Sequence, residues 1–220
     1  MDIQDKRLEH LKSLGFIPKV ILDIGAHHGD WARLAKQIFP NSNILMFEAN
    51  QDNEQILKNS GFDYEIALLG NVDNESVDYY AIKSGYTTGN SIFKEKSKHY
   101  TGDGFETRTL TMTTVDKLLE KRGSVKPNFI KMDVQGAELL VLEGCKNSLD
   151  VCDFILLETQ TLEYNKNAPM MSDVISKLDA LGYQVFDIFG LHYLPNQMLF
   201  QLDILFVKKE SFFVPKGNLT

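Results

Sequence analysis

The sequence predicts a doubly wound α/β fold built around a mostly parallel sheet. Three observations predict it: short apolar runs alternate with helical stretches, a glycine-containing turn follows the first run, and two β-rich runs close the chain. Short apolar runs separated by helices read as buried parallel strands, because a parallel crossover needs the length of chain that a helix supplies.

In chain order, residues 3–14 are predicted helical, with Leu8, Leu11 and Leu14 on one side and Gly15 suited to the C-terminal cap. KVILDI (19–24) is the first strand. A helix over 30–39 stops at Pro40, whose ring and missing N–H bar continuation. NILMFE (43–48) is the second strand, 51–59 a helix ended by Gly61, and 63–69 the third strand. ESVDYYAI (75–82) and FETRTLTM (105–112) alternate partially and read as β structure within an insert spanning about 71–112. The polar stretch between them, KSGYTTGNSIFKEKSKHYTGDG, has no period and reads as a long surface loop, of the kind that forms lids and binding elements.

Alternation resumes with a helix over 114–121, the strand NFIKMD (128–133), a helix over 136–144 and the strand DFILLE (153–158). A helix over 170–181 precedes Gly182. Runs 183–188 and 201–207 then suit an antiparallel closing pair. Nothing marks a second folded domain, so residues 1–220 are expected to form one domain with an N-terminal helix over 1–16.

Composition narrows the function. Hydrophobic residues make up 43% of the chain, enough for a full core, and the formal net charge of -7 repels phosphates, which argues against nucleic-acid partners. No apolar run approaches the roughly 20 residues of a membrane span. The N-terminal MDIQDKRLEHLKSLGF lacks a signal-peptide core, so a cytoplasmic location is expected. Cys145 and Cys152 read as buried thiols. No stretch predicts an oligomer surface.

The most informative segment is VILDIGAHHGDW (20–31). A strand ends at Asp23-Ile24, then Gly25-x-x-x-Gly29 leads into a helix, and ligands of open parallel sheets sit at such strand ends. Gly25 allows a tight turn close to a ligand, Ala26 and His27 are expected at the cofactor with the backbone amides of His27 and His28 able to face it, and Gly29 allows close helix packing. A dinucleotide site would carry G-x-G-x-x-G under a pyrophosphate. This turn lacks that spacing, and Asp23 would repel a pyrophosphate. A ligand with an ammonium group, such as S-adenosylmethionine, suits the aspartate better. Glu48, with Ala49 beside it, ends the second strand, where a carboxylate accepts both ribose hydroxyls. Ala67 and Leu68 are expected to flank the adenine. His27 and His28 read as loop histidines rather than metal ligands, and Trp31 as a packing residue.

The reaction side is expected on KMDVQGAELLVLEG (131–144) and FILLE (154–158). Asp133 and Glu158 end adjacent strands, and His192 lies between the last two. Any of the three suits a general base for a hydroxyl acceptor. Asp133 and Glu158 together also suit a divalent metal ion, an optional cofactor on this reading. Lys131 shares the face of Asp133 and suits a carboxylate partner. Glu138 sits in the first turn of its helix, where a negative charge meets the helix dipole favourably.

Taken together, LGFIPKVILDIGAHHGDW, ILMFEAN, TTVDKLL, FIKMDVQGAELLVLEG and FILLET resemble the FkbM-type branch of class I S-adenosylmethionine-dependent methyltransferases, over about residues 14–208. Gln135 stands where that family's motif usually has an acidic residue, and His28 where it usually has Asn. The resemblance implies a Rossmann-like seven-stranded sheet with one reversed strand, and O-methylation of a hydroxyl on a small molecule, sugar or glycan. It implies that Tyr86, Thr87, Thr88, Asn90 and Ser91 of the insert contact the cofactor or the acceptor. A nucleotide-dependent oxidoreductase and a non-catalytic binding module are the alternatives.

Overall fold

The computed structural model describes residues 3–83 and 87–216. In chain order the elements are α1 (Ile3–Ser13), β1 (Val20–Ile24), α2 (Asp30–Ile38), β2 (Asn43–Glu48), α3 (Glu54–Lys58), β3 (Asp63–Ile66), β4 (Leu68–Leu69), β5 (Ser76–Ile82), β6 (Phe105–Thr113) and α4 (Val115–Lys121). There follow β7 (Phe129–Met132), α5 (Glu138–Glu143), α6 (Lys146–Val151), β8 (Phe154–Gln160), α7 (Met171–Ala180), β9 (Tyr183–Tyr193) and β10 (Leu199–Lys208).

A seven-stranded sheet has the order β3-β2-β1-β7-β8-β10-β9, and β10 alone runs against its neighbours. Period-two alternation gives each buried strand two apolar faces. Ile21 and Phe129 pack with Leu8 and Leu11 of α1 and Ala32 and Ala35 of α2. Leu22 and Ile130 pack on the other side with Leu118 of α4, Val141 of α5 and Leu178 of α7. The fold is therefore doubly wound, as the alternation predicts. Phe16 packs edge-on against Phe129 at 6.0 Å and Phe154 at 4.7 Å. Such pairs contribute about 0.5–1.5 kcal/mol each. This anchors the α1–β1 connection, and α1 in turn carries Gln4 to β10, where its Nε2 donates to Asp203 Oδ2 at 2.9 Å.

The elements depart from the sequence reading at turns. The third strand divides at Ala67, whose N–H is drawn back to the Glu48 carbonyl at 2.8 Å. Leu68 and Leu69 then leave the main sheet to pair with Met112 and Thr113 in a second sheet, β4-β6-β5. The helix expected from residue 136 starts at Glu138, because Gln135 and Gly136 are left-handed, with φ of 54° and 99°. The helix over 51–59 opens as a 3-10 turn, α6 was not foreseen, and β9 extends five residues beyond 188 through irregular register with β10.

Candidate cofactor and acceptor site

The β1 turn is shaped by what lies against it. Gly25 has φ of +73°, and a Cβ there would stand 1.8 Å from the Asp133 carbonyl oxygen at the end of β7. Gly25→Ala is therefore expected to cost roughly 3 kcal/mol, a thermal midpoint lower by about 6–12 °C. An unchanged midpoint would refute the steric account. Gly29 (φ +77°) is buried against Met46 of β2, 3.1 Å from where a Cβ would sit. The N–H groups of Gly25 and Ala26 both donate to the Phe47 carbonyl. The Ala26 amide is thus committed to β2, and Ala26, expected at the cofactor, does not line the cavity beside the turn.

Glu48 organises the other side of the turn. Its Oε2 accepts the His27 N–H at 2.7 Å and its Oε1 accepts the Asn50 N–H at 2.8 Å. Burial pushes its pKa up, and those two amides oppose the shift. Each oxygen keeps further acceptor capacity, and Glu48 borders a partly enclosed cavity. Its walls include Ile24, Gly25, His27, Phe47, Ala49, Ala67, Leu68, Tyr79, Ile92 and Asp133. Asp23 and Gly29 are not among them.

The insert roofs this cavity with Thr87, Thr88, Asn90, Ser91 and Ile92; Tyr86 lies outside the described residues. Thr87 Oγ1 shares a hydrogen bond with His27 Nε2 at 2.8 Å. Ser91 Oγ lies 3.1 and 2.9 Å from the carbonyls of Val134 and Gln135. Burial, and then His28 stacked at 3.7 Å, holds the His27 pKa below its ordinary value. Asn90 Oδ1 accepts the Ile82 N–H at 2.9 Å, whereas its buried Nδ2 has no close acceptor and lies beside the Tyr79 hydroxyl. A donor short of an acceptor, a carboxylate at the sugar position and apolar walls fit an adenine nucleoside.

Asp23 has another role. It is fully buried, and Lys131 Nζ stands 3.1 Å from its Oδ1 while donating to the Gly25 carbonyl at 3.1 Å. The ligand ammonium expected on Asp23 is replaced by this internal one. Burial works against the charge on Lys131, but Asp23 and then Asp133 more than offset it, so its pKa lies above the ordinary lysine value. The pair supports the turn from below.

Asp133, at 4.0 Å from Lys131, is the one described residue that lines both the first cavity and a second, polar one. The second is bordered by Gln4, Asp30, Trp31, Lys131, Glu158 and Asp203. Trp31 packs edge-on to Phe129 as expected, yet its buried indole N–H has no partner. Gln135 Nε2 bridges Asp133 Oδ1 at 2.8 Å and Glu158 Oε1 at 3.1 Å, and Gln201 Nε2 donates to the same Glu158 oxygen at 2.7 Å. Burial and then Asp133, Asp203 and Glu138 raise the Glu158 pKa well above the usual carboxylate range. His192 Nε2 lies 3.1 Å from Asp203 Oδ2. The Asp133–Glu158 pair, which the sequence offers as a possible metal site, is bridged by the Gln135 amide, and among the described residues Glu158, His192 and Asp203 bring donor atoms within 4.8 Å of one another.

Glu138 is buried, accepts the Val134 N–H at 3.0 Å, and has its pKa pushed by burial to about 7 from an ordinary 4.5. The native state thus binds the extra proton between those values, so this group's contribution is complete below pH 4.5 and is lost as pH rises through 7. Glu138→Gln is expected to flatten the fall in stability between pH 5 and pH 8 by up to about 3 kcal/mol. Parallel pH profiles of the two proteins would discard the assignment.

The Methyltransferase FkbM domain matches residues 23–185. The chain belongs to the FkbM methyltransferase family. The motifs predicted that family, and nothing in the comparisons supports the oxidoreductase alternative. The hexuronic acid methyltransferase AglP of Haloferax volcanii is 26% identical over 145 residues, 63% of this chain and 55% of that protein. The chain thus spans about half the length of this relative. Two solved structures share the fold. The magnesium protoporphyrin IX methyltransferase ChlM of Synechocystis PCC 6803, with bound S-adenosylmethionine, is 9% identical at a TM-score of 0.50, with 93% of this chain and 77% of that one covered. The plantazolicin methyltransferase BamL, in complex with S-adenosylhomocysteine, is 9% identical at a TM-score of 0.51, with 94% and 84% covered. No helix among the described residues is long and apolar enough to cross a membrane.

Sequence reasoning overlooked Asp203, Gln201, Gln4 and Tyr79. One signal was available: Asp203 interrupts the otherwise apolar LDILFV run of β10.

Proposed function

We propose that the FkbM chain transfers a methyl group from S-adenosylmethionine to a hydroxyl oxygen of a sugar or other small molecule. The observation that carries this reading is Asp133, a carboxylate at the junction of a nucleoside-shaped cavity and a polar one. When bound, S-adenosylmethionine supplies an electrophilic methyl group. Glu48 accepts the ribose hydroxyls, Asn90 donates to the adenine, and the Thr87–Ile92 roof keeps water from the nucleoside. Asp133 accepts the acceptor's hydroxyl proton while the Trp31 N–H and the side chains bordering the second cavity orient the ring. Orientation and exclusion of water are the main contributions required of the protein. Hydrogen-bonding groups around the second cavity, and AglP's action on a hexuronic acid, support a carbohydrate acceptor.

Calorimetry with S-adenosylhomocysteine and NAD, followed by methyl transfer across a panel of pyranosides, tests the reading. Saturable uptake of S-adenosylhomocysteine alone and turnover on a hydroxylated acceptor are expected. No uptake by folded protein at millimolar concentration removes the proposal. Uptake without turnover on any acceptor favours a binding module instead.

A further inference from the structure

The second cavity carries an arrangement that proton transfer does not explain. Asp203 of β10 lies directly opposite Glu158 of β8 in the antiparallel register. Like charges at directly opposed positions destabilise a sheet, and a proton or a bound cation relieves that repulsion. Lys131 is the one lysine or arginine bordering this cavity among the described residues, and its ammonium already sits on Asp23 and the Gly25 carbonyl. The side-chain partners of the two acids are three amides and the His192 ring. Gln135 and Gln201 hold Oε1 of Glu158, and Gln4 holds Oδ2 of Asp203. The amides fix the two carboxyl groups in place and bring no cation to them.

His192 brings its Nε2 to 3.1 Å from Asp203 Oδ2. Adjacent donors around a first-row ion, with metal–ligand distances of roughly 2.0–2.2 Å, stand about 3 Å apart at right angles. The glycine between these groups is also specific. A Cβ on Gly190 would lie 2.0 Å from Asp203 Oδ2 and 3.1 Å from His192 Nε2. Gly190 lacks the left-handed backbone that favours glycine elsewhere, so its value here is the space it leaves for a carboxylate and an imidazole.

We infer that Glu158, His192 and Asp203 form a site for a divalent first-row metal ion, cradled by Gly190 and opening on the acceptor cavity. Two carboxylates and one imidazole match the ligand preferences of such ions and leave coordination positions for an acceptor oxygen or water. A bound ion acidifies a coordinated hydroxyl. In that role the site rests on the methyltransferase reading and deepens it, because it selects acceptors that present oxygen donors to a metal.

The test is titration of the full chain with Mn2+, following the free-ion paramagnetic resonance signal. One equivalent is expected to be taken up saturably. His192→Gln and Asp203→Asn are each expected to weaken uptake by about tenfold or more, and Gly190→Ala to do the same by filling the cradle. Asp78→Asn, at an exposed acid of β5 that borders neither cavity, is expected to leave uptake unchanged. Circular dichroism identifies any variant that fails to fold, and the half-exposed His192 makes His192→Gln the variant least exposed to that failure. Absent saturable uptake, or uptake undiminished in His192→Gln, overturns the site. S-adenosylhomocysteine binding measured on the same samples separates the two readings: its persistence without Mn2+ uptake leaves methyl transfer standing, and the converse removes methyl transfer alone.

Discussion

Glu48→Ala is expected to weaken S-adenosylhomocysteine binding by two to three orders of magnitude. The buried carboxylate is positioned by the His27 and Asn50 N–H groups, so it meets a ribose without reorganising. Hydrogen bonds to a charged group contribute about 1.5–3 kcal/mol each, and two lost at once come to roughly 3–5 kcal/mol, a few hundred-fold or more in affinity. Glu48→Gln is expected to fall short of rescue, because its NH2 must face one of the two backbone donors. Calorimetry on both variants checks this. Affinity within threefold of wild type in Glu48→Ala would place the ribose elsewhere.

Asp133→Asn is expected to lower kcat by at least about a hundredfold, within the range that a positioned base supplies, while S-adenosylhomocysteine affinity stays within about threefold. Asparagine keeps the shape, and its Oδ1 still accepts from Gln135, so the loss reports the missing base. Steady-state turnover paired with calorimetry separates the two quantities. Full turnover in the variant would shift proton acceptance to Glu158 or His192.

The framework was legible because it follows from local rules. Apolar runs such as KVILDI and NILMFE, closed by Gly25 and Pro40, specify strand, turn and helix before any long-range contact is known. The carboxylates at strand ends were legible for the same reason: Asp133 and Glu158 close their runs, and the sheet's topology brings the ends together. What escaped notice depends on register and burial. Asp23 reads as a ligand-facing acid until the pairing of β1 with β7 places Lys131 directly beside it. Ala26 reads as a cofactor contact until its N–H is found on Phe47. The partnership of His192 with Asp203 depends on shifts in the β9–β10 register, which alternation alone does not encode. Position 135 shows the same limit: a glutamine in place of the family's usual acid reads as a loss, yet in three dimensions its amide ties two carboxylates together.

The roof over the nucleoside cavity has one more consequence. On its β7 side it is fastened by a serine hydroxyl to main-chain carbonyls at positions 134 and 135, groups that every amino acid carries. A substitution at position 135, whose side chain reaches Asp133 and Glu158, can therefore retune the acceptor side without unfastening the cover. Chemistry toward the acceptor can diversify there while the Ser91 hydroxyl keeps its hold on that edge.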